Sequence, residues 1–129
     1  MVSLYERGSE AVVARVASQN PQELAVTVIS VEEQLTGWYT LLRRAKRPGQ
    51  LAAVYQRLAN TVSFLGSLQI LSFTELAIAR YEALRRLNLN IGAMDLRIAA
   101  IVLEVGGTLI TRNTRDFARV PGLVFADWS

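Results

Sequence analysis

The chain contains no cysteine and no histidine. That excludes disulfides, thiolate nucleophiles, imidazole general bases and zinc sites of the usual Cys/His kind. Hydrolytic chemistry would have to rest on carboxylates, hydroxyls, basic side chains or a metal held by oxygen. Aspartate is nearly as scarce: Asp95, Asp116 and Asp127 stand beside eight glutamates. Lysine occurs once, at Lys46, against thirteen arginines. A guanidinium fork suits phosphate better than the point charge of an ammonium. With a net charge of +3, this bias is compatible with a nucleic-acid partner without requiring one. No apolar run approaches the ~20 residues that span a bilayer, and none has the layout of a signal peptide. The expectation is a soluble cytoplasmic protein with no membrane association.

What is present is an alternation of helical and strand patterns. The 129 residues are 51% hydrophobic, enough for one domain over residues 1–129 with a sizeable core. Ser9 can cap a first helix with Val12, Val13 and Val16 on one face, ended by Asn20-Pro21. Leu24 to Ile29 is a β-branched run suited to a buried parallel strand. Ser30-Val31-Glu32-Glu33 fits a capping box that opens a helix through Leu35, Trp38, Leu41 and Leu42. That helix ends in the basic group Arg43, Arg44, Lys46 and Arg47, and Pro48-Gly49 breaks it. A second helix over Leu51 to Phe64 completes a hairpin, with Leu51, Val54, Tyr55, Leu58 and Val62 on one face. Trp38, Tyr55 and Phe64 read as core residues.

Further on, Leu68 to Leu71 is a short strand, and Thr74 caps a helix reaching about Leu87. Met94 or Asp95 opens a helix to Val105 that Gly106-Gly107 stops. Thr108 to Thr111 is a strand, Thr114 to Ala118 at most a turn of helix, and Leu123 to Phe125 a last strand. This order predicts an α/β fold, a parallel sheet flanked by helices on both faces. Only Met1 to Leu4 precede the first helical pattern, so the first strand reads as truncated.

Three carboxylates stand at strand ends or helix starts, the edge where ligands bind in open parallel sheets. Each has an ordinary structural explanation. Glu33 could be the capping-box acid, Asp95 could answer the helix dipole, and Asp116 could cap the turn it stands in. Asn113 could merely form an Asx-turn, and Thr111 could be a plain strand residue. Together, three carboxylates on one edge repel unless a cation joins them, and hard oxygen donors suit Mg²⁺ or Mn²⁺. A metal-bound water attacking a phosphodiester is the natural chemistry of such a set.

Three segments carry a family resemblance: Ile29-Ser-Val-Glu-Glu-Gln-Leu-Thr-Gly37, Gly92-Ala-Met-Asp-Leu-Arg-Ile-Ala-Ala100, and Gly107-Thr-Leu-Ile-Thr-Arg-Asn-Thr-Arg-Asp-Phe117 with Val120-Pro-Gly-Leu123 after it. In order and spacing, over nearly the whole chain, they resemble the PIN-domain family. Within it they resemble the VapC-like toxin ribonucleases of bacterial toxin–antitoxin pairs. The resemblance implies a five-stranded parallel sheet and a Mg²⁺- or Mn²⁺-dependent endoribonuclease acting on RNA. It further implies an antitoxin protein as partner and a homodimer. Carried over by motif, the catalytic metal ligands are Glu33 rather than Glu32, with Asp95 and Asp116. Thr111 and Asn113 support them from behind by hydrogen bonding, and Arg43, Arg112 and Arg115 are candidates to grip the RNA backbone. One departure stands out. The family opens on a strand ending in Asp, whereas Met1 to Gly8 resembles the segment just after that strand. The first carboxylate is absent, whether through a start placed too late or through degeneration. A lost central strand and weakened metal binding are the expectations. The alternative function is a catalytically impaired module that binds RNA or an antitoxin partner without turnover.

Overall fold

The structure, a computed structural model, describes residues 2–4 and 24–128. The helix expected after Ser9, with Glu6 and Glu10, lies outside the described residues. Five parallel strands form one sheet: β1 (Val2–Leu4), β2 (Leu24–Thr27), β3 (Gln69–Leu71), β4 (Thr108–Ile110) and β5 (Val124–Ala126). Their spatial order is β3-β2-β1-β4-β5. The expected loss of the central strand is thus corrected. Val2–Leu4 takes that place, with Val2 opposite both Leu24 and Thr108 and Leu4 opposite both Val26 and Ile110. The reason is the backbone: without a strand between them, β2 and β4 would each leave a row of peptide groups unbonded inside the sheet. What the segment lacks is a carboxylate, not a place in the sheet.

Among the described residues the helices are α1 (Val28–Arg44), α2 (Pro48–Gly66), α3 (Glu75–Arg85), α4 (Ala93–Val105) and the single turn α5 (Thr114–Phe117). All four residues of β2 are buried. Since side chains alternate across a strand, both faces of β2 are covered, as a parallel sheet requires. The main core joins Ala25, Ile29, Leu71, Leu96, Ile98 to Val102, Leu109 and Phe117. α4 is its centre: Ile98, Ala99, Ala100, Ile101 and Val102 are all buried. A helix apolar all round must be enclosed all round, and α4 packs against α3, α1, β2 and β4.

Helix ends follow the expected chemistry with one shift. The Thr74 side chain accepts from the Ala77 N–H at 3.1 Å and caps α3. Gly106 ends α4 in the left-handed conformation, φ 67°, where a side chain would be strained. The start of α1 differs from the expectation. Its N-cap is Thr27 rather than Ser30, and the Thr27 hydroxyl accepts from the Ser30 N–H at 3.1 Å. The two hydroxyls also lie 3.1 Å apart and bond each other. Val28 and Ile29, read as strand, are the first turn of this helix, because the buried cap at the strand end wins over their β propensity. Likewise Pro48 opens α2 instead of merely breaking α1; its missing N–H costs nothing in the first turn.

α1 and α2 pair as the expected hairpin, but α2 buries only Leu65. Leu51, Tyr55, Val62 and Phe64 are exposed, which corrects the core assignment of Tyr55 and Phe64. Trp38 is buried as expected, and its indole N–H donates to the Thr61 hydroxyl at 2.8 Å across the hairpin. Among the described residues no helix is long and apolar enough to cross a membrane.

The buried cap at Thr27 gives a direct test of the shifted helix start. Thr27→Ala removes an acceptor and leaves the buried Ser30 hydroxyl without it. Thermal denaturation should show a loss of about 1–2 kcal/mol, or roughly 3–6 °C in the midpoint. Ser30→Ala should cost less, and the reverse ranking would restore Ser30 as the cap.

Candidate functional site

The sheet topology gathers the three acidic motifs. In the order β3-β2-β1-β4-β5 the chain winds one way through β2 and β3 and the other way through β4 and β5. The reversal lies beside β1, and a crevice opens there beyond the carboxyl ends of the strands. α1 starts at the carboxyl end of β2, and the turn α5 comes after the carboxyl end of β4. α4 ends at Val105, just before β4 begins at Thr108. Its other end, about 20 Å back along 13 residues, is therefore on the carboxyl side of the sheet, with Asp95 in its first turn.

Glu33 is the sixth residue of α1, in the second turn. The first turn of α1 holds no acid, and Ser30 occupies the position where a capping-box acid would stand. The capping explanation of Glu33 is thereby withdrawn. Its carboxyl binds a proton more tightly than an ordinary glutamate. Loss of water around it is the first cause, the charge of Asp95 the second and that of Glu32 the third. The Asp95 contribution puts two of the three motif acids within electrostatic reach of each other across the α1–α4 boundary. Asp95 itself stands near the positive end of α4, behind a glycine N-cap that supplies no side-chain bond.

Asp116 is held on both oxygens. The Asn113 amide donates to Oδ2 at 3.0 Å, and the Arg119 guanidinium donates to Oδ1 at 3.2 Å. Only the nitrogen of that amide can face a carboxylate, so the orientation of Asn113 is dictated by its partner. Thr111 is buried, and its hydroxyl accepts from the Asn113 N–H at 2.9 Å. Its own N–H is tied to the Ala126 carbonyl at 3.0 Å. Thr111 therefore reaches Asp116 through Asn113, by fixing the turn in which Asn113 sits. Among the described residues no group of three acidic side chains lies close enough to form a ready metal cluster. Glu33 and Asp95 are in electrostatic reach of each other, while Asp116 is engaged by its own neighbours.

The arginines divide by position. Arg112 and Arg115 are exposed beside Asp116. Arg43 stands ten residues beyond Glu33 on the same helix, roughly 15 Å away along its axis, with its Nε donating to the Tyr39 carbonyl at 3.4 Å. It is not brought to the carboxylates. Sequence reasoning missed two further arginines, of which only Arg119 contacts a motif carboxylate. Arg119 is three residues beyond Asp116, the spacing of neighbours on a helical turn, and that spacing was the available signal. Arg97, two residues after Asp95, lies over the rings of Tyr81 and Phe73 at 5.4 and 5.9 Å. No spacing rule would have pointed to that three-way packing.

Known proteins resemble this chain both in sequence and in fold. A model of the PIN domain matches residues 2–123. The curated protein Ribonuclease VapC2 of Rickettsia felis is 35% identical over 69 residues, which are 50% of this chain and 52% of that protein. The chain thus matches about half the length of that relative. Among solved structures, the DNA-bound VapBC from Salmonella typhimurium superposes with a TM-score of 0.79 at 22% identity, covering 99% of this chain and 98% of that one. FitAcB from Neisseria gonorrhoeae superposes with a TM-score of 0.74 at 25% identity, covering 99% of each chain.

The electrostatics of Glu33 have a measurable consequence. A raised folded-state value means that the native protein binds this proton more tightly than the unfolded chain does, whose glutamates titrate near 4.5. Stability contributed by Glu33 is then highest at acid pH and falls as pH rises from about 4.5 through the folded value. Glu33→Gln should therefore stabilise the protein at pH 7, by at most about 0.5 kcal/mol because the side chain is solvent-accessible and screened. The gain should vanish below pH 4.5. Thermal midpoints of both proteins across pH 3.5–7.5 check this, and a gain that grows toward acid would reverse the sign.

Proposed function

Because the chain belongs to the PIN domain family, we propose that it is a metal-dependent endoribonuclease that hydrolyses RNA phosphodiesters, the toxin of a toxin–antitoxin pair. Glu33, Asp95 and Asp116 are its catalytic, metal-holding residues in this reading. The observation that carries it is the electrostatic meeting of Glu33 and Asp95 at the carboxyl edge of the sheet. Like charges brought together on rigid helices, where neither caps the other's helix, suit a site meant for a cation. The named relatives, a ribonuclease and toxin–antitoxin complexes, support the substrate and the antitoxin partner.

The donor set fits Mg²⁺ or Mn²⁺. In this reading Glu33 and Asp95 would supply anionic oxygens, and Asp116, which is not clustered with them, would join them only if its turn moved toward the cation. A cation held there would lower the pKa of a water and neutralise charge developing on the scissile phosphate. The chain's own residues do the rest. Glu33, whose charged form is disfavoured by burial and by Asp95, would be relieved by a cation's charge. Asn113 keeps the Asp116 carboxylate oriented, and Thr111 keeps Asn113 in its turn. Arg112 and Arg115, exposed in the segment that carries Asp116, would grip the RNA backbone in this reading. Arg43, farther along α1, would meet only RNA that extends along that helix. In this reading the domain spans residues 1–129 and works in the cytoplasm as a homodimer.

A second reading has its own observation. No acid stands in Val2–Leu4, and Asp116 is already neutralised by Arg119. A domain whose first strand brings no acid and whose Asp116 is already paired could bind RNA or an antitoxin without turnover. Calorimetry separates the two: binding of Mn²⁺ at millimolar concentration or below favours the nuclease, and no binding favours the passive module.

For the nuclease, Asp116→Asn should cut Mg²⁺- or Mn²⁺-dependent RNA cleavage on the order of 100-fold or more, beyond what loss of a supporting residue costs. Its circular dichroism and thermal midpoint should stay close to the parent's. Undiminished cleavage by the folded variant would remove Asp116 from the site.

A further inference from the structure

We propose that the tip of the α1–α2 hairpin is a phosphate-binding exosite: Arg44 and Arg57 take the backbone of RNA beyond the scissile link and hold it with or without a divalent cation. This rests on the reading above for the identity of the polyanion, RNA, and not on its turnover.

The distribution of charge points to it. No acidic residue occurs between Glu33 and Glu75, whereas Arg43, Arg44, Lys46, Arg47 and Arg57 all do. Five of the fourteen basic side chains are therefore in this hairpin, which leaves nine against eleven acids in the rest of the chain. Without the hairpin the chain would be acidic. All five cations are exposed, and none is paired with a carboxylate among the described residues. Two of them border a cavity. A pocket of about 320 Å³ opens where α1 ends and α2 begins; its apolar lining is Leu41, Ala45, Ala53 and Val54, and Arg44 and Arg57 line it as well. Guanidiniums from two helices at one pocket, with no anion to join them, suit a ligand that brings negative charge. RNA fits this surface better than an acidic peptide does. Tyr39, 48% exposed, stands one turn before Arg43, whose Nε donates to the Tyr39 carbonyl, and Tyr55, 56% exposed, lies two residues before Arg57. Exposed rings among guanidiniums let unpaired bases stack while their phosphates are gripped. There is also a need for such a hold. The edge with Glu33 and Asp95 is itself acidic and repels a polyanion. Arg44 is eleven residues beyond Glu33 on α1, roughly 16 Å along the axis. RNA lying along α1 meets both, and the cationic end offsets the repulsion at the other.

The test measures binding of fluorescein-labelled poly(U) to the full chain by fluorescence anisotropy, in EDTA and with no divalent metal. The parent should bind. Arg44→Gln with Arg57→Gln should weaken binding about tenfold and flatten the slope of log affinity against log salt by roughly 1.4, the value for two single-strand phosphates. Arg85→Gln with Arg86→Gln, the same loss of charge at exposed positions outside the hairpin, should bind as the parent does. Failure of the parent to bind poly(U) would overturn the exosite. Equal weakening by both double variants would overturn it too, by reducing the effect to overall charge. So would poly-glutamate that displaces labelled poly(U) as well as unlabelled poly(U) does, because the tip would then be a dock for an acidic protein segment. No metal takes part in this binding, so the nuclease reading fails separately. If the parent cleaves no RNA with Mn²⁺ while poly(U) binding is lost in the hairpin variant alone, turnover falls and the exosite stands.

Discussion

Everything in this fold leans on the enclosure of α4. Its residues Ile98 to Val102 are buried without a break, so no face of that stretch meets water. Burying five consecutive side chains of a helix demands protein on every side: α3 and α1 around it, β2 and β4 beneath. The enclosure forces the sheet to be covered, orients α1 and fixes where the first turn of α4 emerges. Asp95 sits in that first turn. Its position is therefore as rigid as the core itself, which a carboxylate on a loop would not be.

The same rigidity creates an electrostatic problem that the chain solves in two ways. Glu33 is carried on α1 toward Asp95, and it responds by holding its proton more tightly. Asp116 stands on the far wall with an arginine and an amide, so its charge is compensated within the turn. One acid is left harder to ionise, and the other is paired with a guanidinium.

How much of this could be read from the residues depends on how local the signal was. Thr74 and Gly106 act within one turn of their helix, and both were legible. The parallel sheet was legible in the alternation of elements. Thr27 and Ser30 illustrate the limit. Both are cap residues three apart, and only the burial of Thr27 at the strand end decides between them. The apolar face of α2 was read correctly as a pattern, but its periodicity could not say that little of the protein would lie against it. Arg119 and Asn90 are 29 residues apart in sequence, and no local rule connects them. The gathering of the three acidic motifs on one edge was legible because it depends on topology. The partners of each carboxylate were not, because they depend on side chains meeting across elements.

The register of β1 carries a consequence of a different kind. Val2 lies between Leu24 and Thr108, and β4 in turn carries β5. The central strand thus bonds to a segment 106 residues further along the chain (108 − 2). Closing so long a loop is entropically slow, and parallel pairing between distant segments forms late. The α1–α2 hairpin can form early, yet the turn carrying Asp116 has no fixed place until β4 is seated. If the site is a nuclease, it stays silent until that long-range pairing has formed.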